Sequence, residues 1–227
     1  MTRTVLHSPL LLEQADFAKG DGLLPAIVQH ADTGDVLMQG WMTIEALQTT
    51  LARAQVTFFS RSKQRLWTKG ESSGHVLDCV SVSLDCDNDS LLVMARPQGP
   101  TCHTGSQTCW HDDYASPFLS QLDAVIKQRH ARWQSGAEGG SYTASLFASG
   151  SKRIAQKVGE EGVETALAGA TGDKAELVNE AADLLFHLMV LLQDQGLSLQ
   201  DVQHRLAERH SASASSSSSR DNNSNSD

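Results

Sequence analysis

The chain has no surplus of basic residues. Eighteen lysines and arginines face 27 aspartates and glutamates, a formal net charge of −9 over 227 residues. Nucleic-acid binding needs a basic footprint, so nucleic acid is not an expected partner. The acidity is spread evenly: residues 1–112 carry 8 basic and 12 acidic side chains, residues 113–227 carry 10 and 15, and neither half is a basic module. A long apolar run is also missing. The stretch Leu184 to Leu192 is interrupted by His187 and falls short of the roughly 20 residues a bilayer span requires. No basic-then-apolar leader opens the chain, because Leu10-Leu11-Leu12 is followed at once by Glu13 and Asp16. The expectation is a cytoplasmic protein without membrane partners. Cysteine is sparse, and Cys79, Cys86, Cys102 and Cys109 all lie in the first half. In a reducing compartment such clustering points to metal rather than disulfides. The apolar fraction, 40%, is slightly low. Part of that is the segment from Ser211 onward, SASASSSSSRDNNSNSD, which has nothing to bury and is expected to be disordered.

The length suits one large domain or two small ones, with a core that needs no disulfide staples. Two characters are present. Residues 1–113 read as β-rich: strands are predicted at Leu24–Val28, Val36–Met38, Val56–Phe59 and Leu91–Met94, with a short helix over Thr43–Arg53 capped by Thr43. Between Asp78 and Asp87 the residues alternate. Strict alternation puts Val80, Val82, Leu84 and Cys86 on one face and Cys79, Ser81, Ser83, Asp85 and Asp87 on the other. Residues 114–210 read as helical, with helices over Phe118–Trp133, Tyr142–Gly150, Ser151–Ala168 and Lys174–Gln195. Residues 211–227 form the tail. The predicted fold is therefore a β-rich α+β domain, an all-α helical bundle and a disordered end.

Asp85-Cys86-Asp87-Asn88-Asp89 is the most unusual segment of the first half. Carboxylates on alternate residues of a strand point the same way and repel unless a hard cation such as magnesium neutralises them; a solvated turn has the same composition. A calcium EF-hand loop is excluded, since its glycine would fall on Ser90 and its bidentate glutamate on Arg96. Cys86, Cys102 and Cys109 make three thiolates, the ligand count of a catalytic zinc with an open position, although buried free cysteines are common core residues. Cys79 has the wrong strand parity to join them and is read as a core thiol. Arg61, Lys63, Arg65 and Lys69 surround Trp67 in an otherwise acidic region, as a phosphate clamp or a solvated hairpin face would. Glu71-Ser72-Ser73-Gly74-His75 follows as a polar loop.

These blocks, with Trp41-Met42, Glu45-Ala46, the run Leu66 to His75, and Gly99-Pro100-Thr101-Cys102-His103-Thr104-Gly105, closely resemble phosphoribosyl-AMP cyclohydrolases of histidine biosynthesis over nearly all of residues 20–112. The resemblance implies magnesium on Asp85, Asp87 and Asp89, and zinc on Cys86, Cys102 and Cys109. It implies an intertwined homodimer whose zinc ligands come from both chains, and His103 as an aid to proton transfer. Arg61, Lys63, Trp67, Lys69 and His75 are the candidate substrate contacts. The implied reaction is hydrolytic opening of the adenine ring, with attack of zinc-activated water at C6 and cleavage of N1–C6.

In the helical half, Arg153, Lys157, Glu160, Glu161 and Glu164 stand at offsets 0, 4, 7, 8 and 11, on one helical face. Glu176, Glu180, Asp183 and His187 stand at 0, 4, 7 and 11 on the next helix, whose other faces are apolar and expected to be buried. A buried carboxylate row is costly unless paired or bound to metal. Facing stripes would surround a magnesium site with Glu160, Glu161, Glu164, Glu180 and Asp183, with Lys152, Arg153 and Lys157 where a polyphosphate enters. A solvated acidic face explains the first cluster as well, but the second poorly. His187 reads as a packed or hydrogen-bonded residue rather than a ligand. EExxE followed by ExxD, within the wider strings Gly140 to Leu146, Arg153 to Ala166 and Asn179 to Leu184, resembles phosphoribosyl-ATP pyrophosphohydrolases over about residues 118–205. That likeness implies release of pyrophosphate from phosphoribosyl-ATP, with Glu161 and Glu164 as candidate catalytic carboxylates.

The two implied reactions are consecutive, because the product of the second domain is the substrate of the first. Small nucleotides are thus the expected substrates, with Zn2+ and Mg2+ as cofactors. Two rival readings exist: a house-cleaning nucleotide pyrophosphatase fused to a structural zinc domain, and a non-catalytic scaffold. Three zinc thiolates rather than four speak against the first, and the buried acidic stripe speaks against the second.

Overall fold

The structure is a computed structural model. It describes residues 5–110, 117–137 and 140–218, the last eight of these as backbone alone. The chain divides into two units, Met1–Pro117 and Phe118–Asp227. The expected junction between residues 113 and 114 lies outside the described residues.

In the first unit a short helix α1 (Leu11–Gln14) precedes a hairpin of β1 (Leu24–His30) and β2 (Val36–Met42). Helix α2 (Ile44–Arg53) begins where the sequence places it: Thr43 is extended and its hydroxyl accepts from Ala46 N at 3.2 Å. A second hairpin pairs β3 (Thr57–Ser60) with β4 (Arg65–Thr68). Strands β5 (Leu77–Leu84) and β6 (Leu91–Pro97) complete a four-stranded sheet of order β2-β1-β6-β5, in which β1 and β6 are parallel. Alternate residues of β1, Leu24, Ala26 and Val28, are wholly buried with Met42, Leu47, Phe58, Leu77 and Val93 in one core.

Two expectations fail on β5. Its pairing with β6 shifts between Cys79 and Ser81, so Val80 is an extra residue in the strand. The bulge reverses the side-chain parity. Cys79 and Val82 are therefore buried on the core side, while Val80 and Leu84 are only half-buried. The strand also ends at Leu84, and Asp85 to Asp89 form a turn instead of its continuation. Asn88 at φ 64° supplies the left-handed residue that this turn needs.

The second unit is all helical: α3 (Phe118–Gln134), α4 (Tyr142–Ser149), α5 (Ser151–Thr171), α6 (Lys174–Asp194) and α7 (Leu199–Ser218). Ile126, Leu146, Phe147, Ile154, Met189 and Val190 form its core. Between α5 and α6, Gly172 adopts φ 75° and Asp173 caps α6 by accepting from Ala175 N and Glu176 N. This tight turn makes the two helices antiparallel neighbours. The first half of α6 is not buried as expected: Val178 is 69% exposed, and Val163 and Leu167 of α5 are each 60% exposed. These three apolar side chains are left exposed on the α5–α6 pair. The backbone of α7 continues into the segment expected to be disordered, as far as Ser218. Extending a formed helix costs far less than starting one. Residues 219–227 lie outside the described residues.

Candidate active sites

The turn after β5 brings one carboxylate oxygen each of Asp85, Asp87 and Asp89 within 4.8 Å of one another. Asp85 Oδ1 accepts from the backbone N–H of Asp89 at 3.0 Å and of Ser90 at 3.1 Å, which folds the turn around it. Lys19 lies against the group, and its ammonium holds the Asp87 carboxyl below the usual range. A turn thus achieves the clustering that was expected of a strand. The oxygen-only donor set suits a hard cation.

Cys102 and Cys109 form a pair. Thr104 Oγ1 donates to Cys102 Sγ at 3.1 Å, and this bond chiefly holds the Cys102 thiol below its ordinary pKa. Cys109 is exposed as a residue. Partial desolvation of its thiol, helped by the neighbouring Cys102, holds its pKa up. Cys86 is exposed in the aspartate turn, and among the described residues it does not form a close three-thiol group with Cys102 and Cys109. Lys69 is 7% exposed, and burial lowers its pKa against the opposing pull of Cys109 and Cys102. Its ammonium donates to the His75 carbonyl at 3.2 Å. Gly70 (φ 87°) permits this, because a Cβ there would lie 2.5 Å from the His75 backbone. The His75 ring in turn rests on Gly99, where a Cβ would meet it at 2.8 Å. Thr101 Oγ1, next to Cys102, is buried without a hydrogen-bond partner. A thiol pair with one member biased toward thiolate fits a soft cation. His103 is exposed beside the pair, its Nδ1 3.8 Å from Cys102 Sγ. Cys79 is 3% exposed and its thiol is pushed up to about 12 by burial, as a core residue would be.

The basic island is divided. Arg61 lies over the Trp41 ring at 4.6 Å, Arg65 is paired with Glu71, and Lys69 belongs to the thiol pair. Lys63, Arg65 and Trp67 line a cavity of about 260 Å³ with Ser60, Glu71 and Ser72. Trp67 packs on Phe58 with ring centroids 5.7 Å apart.

In the helical unit, Glu161 and Glu164 of α5 and Glu180 of α6 bring oxygens within 4.8 Å of one another. Glu161 is 5% exposed, and Lys157 Nζ, 2.8 Å from its Oε1, holds its pKa low. Glu180 is pushed up to about 7, first by desolvation and then by Glu164. The group is thus short of positive charge, which a bound divalent cation would supply. Two expected members stand apart. Glu160 precedes Glu161 by one residue, about 100° round the helix, and is taken by Lys157 (3.1 Å), Gln156 (2.7 Å) and Arg153 (3.6 Å). Asp183 is exposed, about 4.5 Å further along α6 than Glu180. Lys152 is exposed, one residue before Arg153. His187 is buried and hydrogen-bonded, as read from sequence. Sequence reasoning missed Tyr142, whose Oη lies 2.9 Å from His187 Nε2, and Lys19, whose partner Asp87 is 68 residues away.

A strand-rich unit with a carboxylate turn and a thiol pair, followed by a helical unit with a second carboxylate group, defines a two-domain architecture with a candidate site in each domain. Residues 38–111 match the family model described as phosphoribosyl-AMP cyclohydrolase, and residues 119–210 match that described as phosphoribosyl-ATP pyrophosphohydrolase. Proteins named histidine biosynthesis bifunctional protein HisIE are similar over both units. That of Shewanella oneidensis is 59% identical over 87% of this chain and 92% of its own length. That of Vibrio cholerae is 57% identical over 88% and 95%, and that of Escherichia coli K12 is 58% identical over 87% and 96%. The chain belongs to this family of bifunctional histidine-biosynthesis enzymes, with one hydrolase in each unit. No helix among the described residues is long and apolar enough to cross a membrane.

Proposed function

We propose that the helical unit hydrolyses phosphoribosyl-ATP to phosphoribosyl-AMP and pyrophosphate, and that the strand-rich unit then opens the adenine ring at N1–C6. The observation that carries this is the pair of ligand groups of opposite chemistry in the first unit, together with a carboxylate-only group in the second. In the helical unit Glu161, Glu164 and Glu180 are the residues that would hold magnesium, which shields phosphate charge when bound. Lys152, Arg153 and Lys157 flank the polyphosphate, with Lys157 also fixing Glu161.

In the strand-rich unit Asp85, Asp87 and Asp89 would hold magnesium, and Cys102 and Cys109 would hold zinc with Cys86 of a second copy. Zinc, when bound, lowers the pKa of a water to about 7. Thr104 favours the thiolate of Cys102, and His103, beside that thiol, is the group that would hand a proton to N1 as the ring opens. Lys69 balances the thiolates, while Lys63 and Trp67 offer a cation and a ring face to the nucleotide. A cytoplasmic homodimer is part of this reading. Cys86 stands apart from the thiol pair, and Val163, Leu167 and Val178 are exposed apolar residues that a second copy would cover. The test is Glu180→Gln: pyrophosphate release from phosphoribosyl-ATP should stop while turnover of supplied phosphoribosyl-AMP continues. Normal consumption of phosphoribosyl-ATP by this variant would remove the carboxylate site from the account.

A further inference from the structure

His187 sits among the buried residues of α6, 3% exposed, and both of its ring nitrogens are engaged. Nδ1 lies 2.8 Å from the carbonyl oxygen of Asp183. A carbonyl only accepts, so Nδ1 carries a hydrogen in either protonation state of the ring. Nε2 lies 2.9 Å from Tyr142 Oη at the start of α4. The ring is also fixed laterally, edge-on to Phe186 at 5.2 Å between centroids. The same nitrogen lies near Glu161: His187 Nδ1 is 3.7 Å from Glu161 Oε1, too long for a hydrogen bond but in contact range in a site where both side chains are buried. Lys157 Nζ approaches the same oxygen at 2.8 Å.

We infer that His187, held by Tyr142, is a positioning residue for Glu161. By packing against the carboxylate it keeps an oxygen of Glu161 within reach of those of Glu164 and Glu180, where the three would share a divalent cation. The inference rests on the carboxylate reading given above. It extends that reading to a helix, α4, that contributes no ligand. Groups that orient metal ligands typically alter affinity or turnover by about 10–100-fold when removed.

The experiment uses the full chain and three variants. Mn2+ binding is measured without substrate, and the class of sites lost in Glu161→Gln identifies the helical-unit site. His187→Leu keeps volume but removes both nitrogens. It should weaken that class on the order of 10-fold and lower kcat for pyrophosphate release comparably. Opening of supplied phosphoribosyl-AMP should stay at the wild-type rate. His187→Asn, which restores an N–H near the Nδ1 position, should recover most of both losses. Should His187→Leu fail to fold, Tyr142→Phe, at a half-exposed position, should weaken Mn2+ binding several-fold by itself. Wild-type Mn2+ binding and kcat in folded His187→Leu or Tyr142→Phe, with only a lowered Tm, would overturn the inference. If Glu161→Gln abolishes neither Mn2+ binding nor pyrophosphate release, the carboxylate reading falls, and the positioning role falls with it.

Discussion

Lys19 Nζ lies 3.0 Å from Asp87 Oδ2 and 2.8 Å from the Asp87 carbonyl, with Asp89 Oδ2 at 3.7 Å. The lysine is the counter-charge of the aspartate turn when no metal is bound. A divalent cation at Asp85, Asp87 and Asp89 must compete with it. Lys19→Gln should therefore bind Mg2+ a few-fold more tightly at this site, measured by calorimetry of the full chain. Unchanged or weaker Mg2+ binding would show that Lys19 is not a competitor.

The four thiols should separate by reactivity. In chelator, an alkylating reagent should label exposed Cys86 and Cys109 readily. Cys102 should follow, since Thr104 favours its thiolate although the residue is buried. Cys79, enclosed and with its thiol pushed up to about 12, should be labelled last. Peptide mass spectrometry reads the order, and labelling of Cys79 alongside Cys86 would refute it.

Glu180 predicts a pH dependence of the metal-free protein. Its folded pKa, about 7, is above its ordinary 4.5. The protonated acid is thus favoured by folding. This contribution is complete below pH 4.5 and is lost as pH rises through about 7. In chelator, wild type should lose more Tm across that window than Glu180→Gln does. Equal pH profiles for the two proteins would contradict the shift.

Ile154 is fully buried in the helical core. Ile154→Ala should cost about 3 kcal/mol, seen as earlier thermal loss of pyrophosphate release, while phosphoribosyl-AMP opening survives to its wild-type temperature. Loss of both at one temperature would show that the two units melt together.

Local features were legible in the sequence. Thr43 as a helix cap, the apolar run of β1 and the helix boundary around Gly150 depend on neighbours a few residues away. The bulge at Val80 was not, because an extra residue in a strand is decided by the pairing with β6. Nor was β4, whose Arg65–Thr68 run is short and polar-rich, or α7, whose composition carries little apolar period. In the sites, the types of ligand were legible and their grouping only partly. Glu161, Glu164 and Glu180 meet as the helical offsets imply. Glu160 was legible as acidic, but which way it turns depends on Arg153 and Lys157. The isolation of Cys86 from Cys102 and Cys109 within one chain depends on where a turn and a distant loop are set, which spacing does not encode.

The central claim is that two separate sites act in sequence on one nucleotide. The most direct measurement follows phosphoribosyl-AMP, pyrophosphate and the ring-opened product after phosphoribosyl-ATP is added to the full chain with Mg2+ and Zn2+, in wild type and Cys102→Ser. Wild type should release pyrophosphate and accumulate the ring-opened product. Cys102→Ser should release pyrophosphate at the wild-type rate and stop at phosphoribosyl-AMP. Loss of both steps in a folded Cys102→Ser protein would contradict the account.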